Sequence, residues 1–110
     1  MARQNLAVLY TRQRRLADAG AVLSEAARVS PDSPVVLVSL GRTLLDHGMK
    51  ADAAVVLERA VGLAPSLPDA RFWLARVYLA AGEAPRATAQ ITALERLDPT
   101  RAAELRRELR

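Results

Sequence analysis

Few side chains in this sequence are placed to do chemistry. His47 is the only histidine, and it stands between Asp46 and Gly48. A single imidazole beside a glycine cannot assemble a histidine metal cluster or a histidine-based catalytic triad, and it reads as a turn residue. Carboxylates such as Asp46 and Asp52, or Glu104 and Glu108, could pair as general acid and base. No nucleophile adjoins either pair, and helix surfaces ordinarily carry such charges, so they read as solvated. The chain has no cysteine, which removes disulfides, thiolate metal sites and cysteine nucleophiles together and leaves the redox compartment open. The glycines Gly20, Gly41, Gly48, Gly62 and Gly82 are dispersed, at helix packing positions or turns, and form no phosphate-binding loop. Metalloprotease and calcium-loop spacings do not occur. The expectation is a protein that is not an enzyme and holds neither cofactor nor metal.

What remains is guanidinium chemistry. The basic residues are fifteen arginines and a single lysine, and the net charge is +4. They are scattered along the chain without an aromatic–basic ladder or a nucleic-acid motif, so a solvated basic surface is expected and nucleic-acid binding is not. Two of them, Arg42 and Arg76, lie 34 residues apart, and Phe72 and Trp73 precede the second by one helical turn.

That interval recurs throughout the sequence. Pro31, Pro65 and Pro99 are spaced 34 and 34 residues apart. Leu6, Leu40 and Leu74 keep the same step, as do Ala19, Ala53 and Ala87. So do Tyr10, Leu44 and Tyr78, then Leu23, Leu57 and Ile91, then the small residues Ala7, Gly41 and Ala75. Large residues recur where large ones stood and small where small, which implies three equivalent units. Within a unit, Leu40, Gly41 and Leu44, then Ala53, Leu57 and Ala60, fall at three- and four-residue steps and make two helices. Gly48 and Gly82 end the first helix of a pair, prolines close the second, and Pro34 and Pro68 open the next, with Ser33 as an N-cap. The spacing predicts helices over about 2–13, 17–29, 34–47, 51–63, 68–81, 85–97 and 100–109. The composition agrees, being 51% apolar but only 4% aromatic and rich in strong helix formers. The predicted fold is all-α: a right-handed α-solenoid of three helix-turn-helix repeats, over about 1–33, 34–67 and 68–101, followed by a capping helix over about 100–109 that Thr100 would N-cap. In that last helix Ala102, Leu105 and Leu109 share one face, while arginines in its final turn complement the helix dipole.

These residues resemble the tetratricopeptide repeat family, whose 34-residue pattern is W-x-x-L-G-x-x-Y, then A-x-x-x-F, then P. The middle unit supplies Leu37, Leu40, Gly41, Leu44, Ala53, Leu57, Ala60 and Pro65; the third supplies Leu74, Ala75, Tyr78, Gly82, Ala87, Ile91 and Pro99. The chain departs from the pattern with arginine at the tryptophan slot (Arg3, Arg71), Arg14 at a turn glycine and Leu94 at a small-residue position. The resemblance implies that the first helix of each unit lines a concave groove for an extended or helical segment of a partner protein. Carried over by position, that groove would comprise Gln4, Val8 and Thr11, then Val38, Arg42 and Leu45, then Phe72, Arg76 and Leu79. Arginine forks pair with carboxylates bidentately and Phe72 offers an apolar anchor, so the implied partner is a protein or peptide that is apolar and bears acidic groups. The alternative, that Arg42 and Arg76 are solvated and Phe72 packs on neighbouring helices, stands beside it. The lysine-rich carboxylate clamp of chaperone-binding members is disfavoured, because its positions hold Gln4, Val8, Ser39, Asp69 and Trp73. Trp73 is assigned to burial between repeats in preference to ligand stacking.

The functional expectation is therefore a protein–protein interaction module, part of a larger bacterial protein or complex. A structural spacer or self-association scaffold, with the chain as a homo-oligomer, is the second reading. Alanine and arginine richness is typical of GC-rich bacterial coding sequences. No apolar run approaches membrane-spanning length, so a soluble chain without membrane insertion is expected, cytoplasmic or periplasmic if bacterial.

Overall fold

The computed structural model of the chain describes Glu25, Arg28, Val29 and residues 32–109. The predicted helices over 2–13 and 17–29 lie outside the described residues, apart from the helical Glu25, Arg28 and Val29. Among the described residues five further helices follow: α1 Pro34–Asp46, α2 Lys50–Leu63, α3 Pro68–Ala80, α4 Ala84–Leu97 and α5 Pro99–Glu108. Their ends fall within two residues of the predicted ones, because each boundary is set by local chemistry.

Proline stands in the first turn of α1, α3, α4 and α5, where its missing N–H would have had no partner in any case. The Ser33 hydroxyl accepts the Val36 N–H at 3.4 Å and caps α1. Helices α1 and α3 both end in a left-handed glycine, Gly48 at φ 81° and Gly82 at φ 73°. The Gly48 N–H bonds the Leu45 carbonyl and the Met49 N–H the Leu44 carbonyl, both at 2.9 Å. Gly82 with Leu79 and Glu83 with Tyr78 repeat the same pair of bonds, which close the last carbonyls of each helix. At α5 the expectation is corrected: the helix begins at Pro99, its cap is Asp98, whose carboxylate accepts the Arg101 N–H at 3.2 Å, and Thr100 lies inside the first turn. Proline is already suited to the first helical position, so the cap falls one residue before it.

The helices are an all-α solenoid in which α1 pairs with α2, α3 with α4, and α5 packs on α3 and α4. The repeat positions are the core. Leu57, Ala53, Ala60, Ala87 and Ile91 are fully buried, and Leu40, Leu74 and Tyr78 nearly so. Gly41 faces Leu57 so closely that a Cβ there would lie 2.4 Å from the leucine Cγ, which is why the smallest residue stands at this crossing. Leu94, larger than the family pattern asks, is fully buried among Ala75, Ile91, Ala102 and Leu105, and fills the space under α5. Gly62 does not serve packing: a Cβ there would meet nothing within 4 Å. Polar ties join the layers at the rim. The Tyr78 hydroxyl donates to the Glu58 carboxylate, and burial together with that bond pushes its pKa up to about 12. Arg106 donates from Nε to Glu95 at 2.9 Å, joining α5 to α4 and holding the Glu95 carboxyl below its usual range. Among the described residues no helix is long and apolar enough to cross a membrane.

Candidate functional site: an arginine-flanked aromatic groove

Besides packing on their partners, the leading helices touch one another, α1 against α3 and α3 against α5, and so form one layer. On that layer lies a cavity of about 620 Å³ lined by Leu45, Asp46, Phe72, Trp73, Arg76 and Ala80. Successive residues of a helix diverge by about a hundred degrees, so Phe72 and Trp73 present their rings at a large angle to each other. They meet edge to face, with centroids 5.2 Å apart and planes at 89°. Both are half-buried. Phe72 also packs against the α4–α5 core, and Trp73 against the α1–α3 core.

Guanidinium groups surround this pair. Arg42 of α1 lies 4.8 Å from the Trp73 ring centroid, Arg76 lies 5.7 Å from that of Phe72 and 6.0 Å from that of Trp73, and Arg101 of α5 lies 4.7 Å from that of Phe72. Each is within reach of a cation–π attraction that also fixes where the guanidinium points. Arg101 is held further by Asp69 at 2.6 Å and Asp98 at 3.6 Å, and Arg76 by Glu108 at 3.0 Å. Arg42 makes no ion pair among the described residues. The surface thus offers apolar and aromatic area beside fixed hydrogen-bond donors, an arrangement suited to an apolar side chain with a neighbouring carboxylate.

The residues expected from the sequence divide as follows. Leu45, Phe72 and Arg76 line the cavity, and Arg42 reaches it through Trp73. Leu79 is half-buried and packs against both core clusters. Val38 is only 6% exposed and belongs to the core, because its short side chain ends there, whereas the Phe72 ring at the equivalent place in α3 extends to the cavity. Gln4, Val8 and Thr11 lie outside the described residues. Trp73, expected to be buried between repeats, packs against the core and is half-buried, and its remaining surface lines the cavity. Asp46 and Ala80 were missed, although each stands four residues after a groove arginine and so continues the same helical face. Arg101 and Glu108 of α5 turn toward α3, where they pair with Asp69 and Arg76.

A sequence model described as a tetratricopeptide repeat matches residues 44–109, more than half of the chain. No curated protein matches it. Among solved structures, the first TPR of Spaghetti (RPAP3) bound to the HSP90 peptide SRMEEVD is 19% identical, with 97% of this chain and 87% of that one covered at a TM-score of 0.88. The Yersinia enterocolitica type III secretion chaperone SycD, in complex with a peptide of the translocator YopD, is 17% identical over 94% of this chain and 86% of its own, at a TM-score of 0.86. TTC0263, a thermophilic TPR protein of Thermus thermophilus, is 26% identical over 88% of this chain and 51% of that one, at a TM-score of 0.77.

Proposed function

The chain belongs to the tetratricopeptide repeat family, and from that premise we propose that it is a protein-interaction module whose α1–α3–α5 layer receives a segment of a partner protein. The segment is apolar and carries carboxylates: its apolar side chains seat on Phe72 and Trp73, and its acidic groups meet Arg42 and Arg76. The observation that carries this reading is the cavity at which two guanidinium groups, on different helices, lie against one aromatic pair. Two neighbours of the same fold are seen with peptides bound, and the RPAP3 ligand, SRMEEVD, joins a methionine to three acidic residues. The lysine clamp is not invoked, since Asp69 and Trp73 stand at two of its positions and Asp69 is paired with Arg101. We take the module to be part of a larger bacterial protein or complex, with the repeat boundaries near 34, 68 and 100.

Trp73 is the only tryptophan, so its fluorescence reports on the groove directly. The test is titration with short synthetic peptides alternating leucine and aspartate, against the same peptides with asparagine for aspartate. Saturable change with the acidic peptide only, lost in Arg42→Glu/Arg76→Glu at unchanged helicity, is expected. The expected loss is at least about tenfold in affinity, the scale of one charge-assisted hydrogen bond. Equal response to both peptides, or none, overturns the reading; no response together with concentration-dependent light scattering would favour the self-association scaffold.

A further inference from the structure

Resting on that reading, we propose that Glu108 occupies the place on Arg76 that a partner's carboxylate takes, so that the chain carries its own competitor for the groove. Glu108 closes α5, and its Oε2 accepts from Arg76 Nη1 at 3.0 Å. The same guanidinium lies 5.7 Å from the Phe72 ring and lines the cavity with Leu45 and Trp73. A ligand carboxylate reaching Arg76 therefore meets a guanidinium whose Nη1 is already held by a group of identical chemistry. Arg42 makes no such pair among the described residues. The two cations are thus unequal: one is ready for an acidic group, and the other exchanges one carboxylate for another.

The strength of this competition follows from exposure. The Arg76 and Glu108 side chains are 38% and 46% exposed, so water and salt screen their attraction and the pair opens readily. Opening it need not undock α5, because Arg101 still bonds Asp69 and Arg106 still bonds Glu95, and Ala102 and Leu105 remain fully buried. The effect is a modest, local reduction in affinity and not a closed lid. It also selects for ligands: a neutral apolar segment gains nothing from displacing Glu108, whereas an acidic one replaces the lost pair.

The experiment compares Glu108→Gln and Glu104→Gln in the full chain, by Trp73 fluorescence with the leucine–aspartate peptide and its asparagine counterpart. Both variants remove one negative charge from α5, but Glu104 takes no part in the groove. Glu108→Gln is expected to tighten the acidic peptide by about two- to fivefold, the equivalent of an exposed ion pair, with the asparagine peptide unchanged and Glu104→Gln close to wild type. Equal tightening in both variants reduces the effect to net charge and overturns the proposal. Binding by wild type with unaltered affinity in Glu108→Gln also overturns it while leaving the groove reading intact. Failure of wild type and both variants to bind the acidic peptide overturns the groove reading, and this inference with it.

Discussion

One substitution, glycine to alanine, should give three different results at three positions. In a helix interior the change ordinarily stabilises by up to about 1 kcal/mol, because alanine has less conformational freedom to lose. Gly62 lies in α2 with no atom within 4 Å of a prospective Cβ, so Gly62→Ala should gain about 0.5–1 kcal/mol, the lower end reflecting its place near the helix terminus. Gly48 also has open space, but its φ of +81° is unfavourable for any side chain, and Gly48→Ala should lose about 1–2 kcal/mol. Gly41 is the informative case. A Cβ there would lie 2.4 Å from Leu57 Cγ, 2.7 Å from Cδ2 and 2.9 Å from Cδ1. Cγ is a branch point of a fully buried side chain, not a flexible tip, so either the leucine or the helix must move. Overpacking of this kind costs about 1–3 kcal/mol, which outweighs the helix gain and leaves a net loss of up to about 2 kcal/mol, or roughly 4–8 °C in Tm per kcal/mol. Urea unfolding followed by far-ultraviolet circular dichroism measures all three. Leu57→Ala supplies the second arm: alone it should cost about 2–5 kcal/mol, but combined with Gly41→Ala the new methyl enters the vacated space, and the double variant should be more stable than the two losses added together. Stabilisation by Gly41→Ala as large as that by Gly62→Ala, with additive behaviour in the double variant, would refute the close helix crossing.

Further expectations concern the terminal helix and the rim. Leu105 is fully buried in the cluster beneath α5, so Leu105→Ala should cost about 2–5 kcal/mol and speed amide exchange in α5 more than in α1 or α2. Tyr78, raised to about 12 by burial and its bond to Glu58, favours the protonated phenol in the folded state. Its contribution should be complete below pH 10 and vanish as pH rises through 12, and absorbance titration of Tyr10→Phe should show the remaining tyrosine ionising near 12. Glu95 has the opposite sign: its contribution should be present above the ordinary glutamate range and fade as pH falls through its lowered pKa. Carboxyl NMR should see that pKa return upward in Arg106→Gln.

The helices were legible in the sequence because proline and glycine fix backbone angles locally, and a local rule needs no knowledge of the rest of the molecule. The core was legible because the 34-residue step copies each buried position into its neighbour, as Ala53 and Leu57 are copied by Ala87 and Ile91. Side chains at the rim obey neither rule. Arg76 and Glu108 are 32 residues apart, as are Asp69 and Arg101, so each pair joins positions that are not repeat equivalents and depends on how α3 and α5 are turned toward each other. The half-burial of Trp73 has the same origin, since one face is decided by packing within α1 to α3 and the other by a guanidinium from α1. Val38 and Phe72 show the limit of carrying a site along by repeat position: the step preserves direction, while side-chain length decides whether a residue stops in the core or reaches the surface.

Helix α3 is in contact with each of the other four, α1 and α5 within the leading layer and α2 and α4 behind it, whereas the backbones of α2 and α4 stay apart. In mechanical terms α3 is the keystone of the described helices, since each of the others bears on it. Phe72, Trp73 and Arg76 thus stand on the one described helix that all the other four bear on, so a displacement at the cavity begins at the centre of the stack and not at its edge.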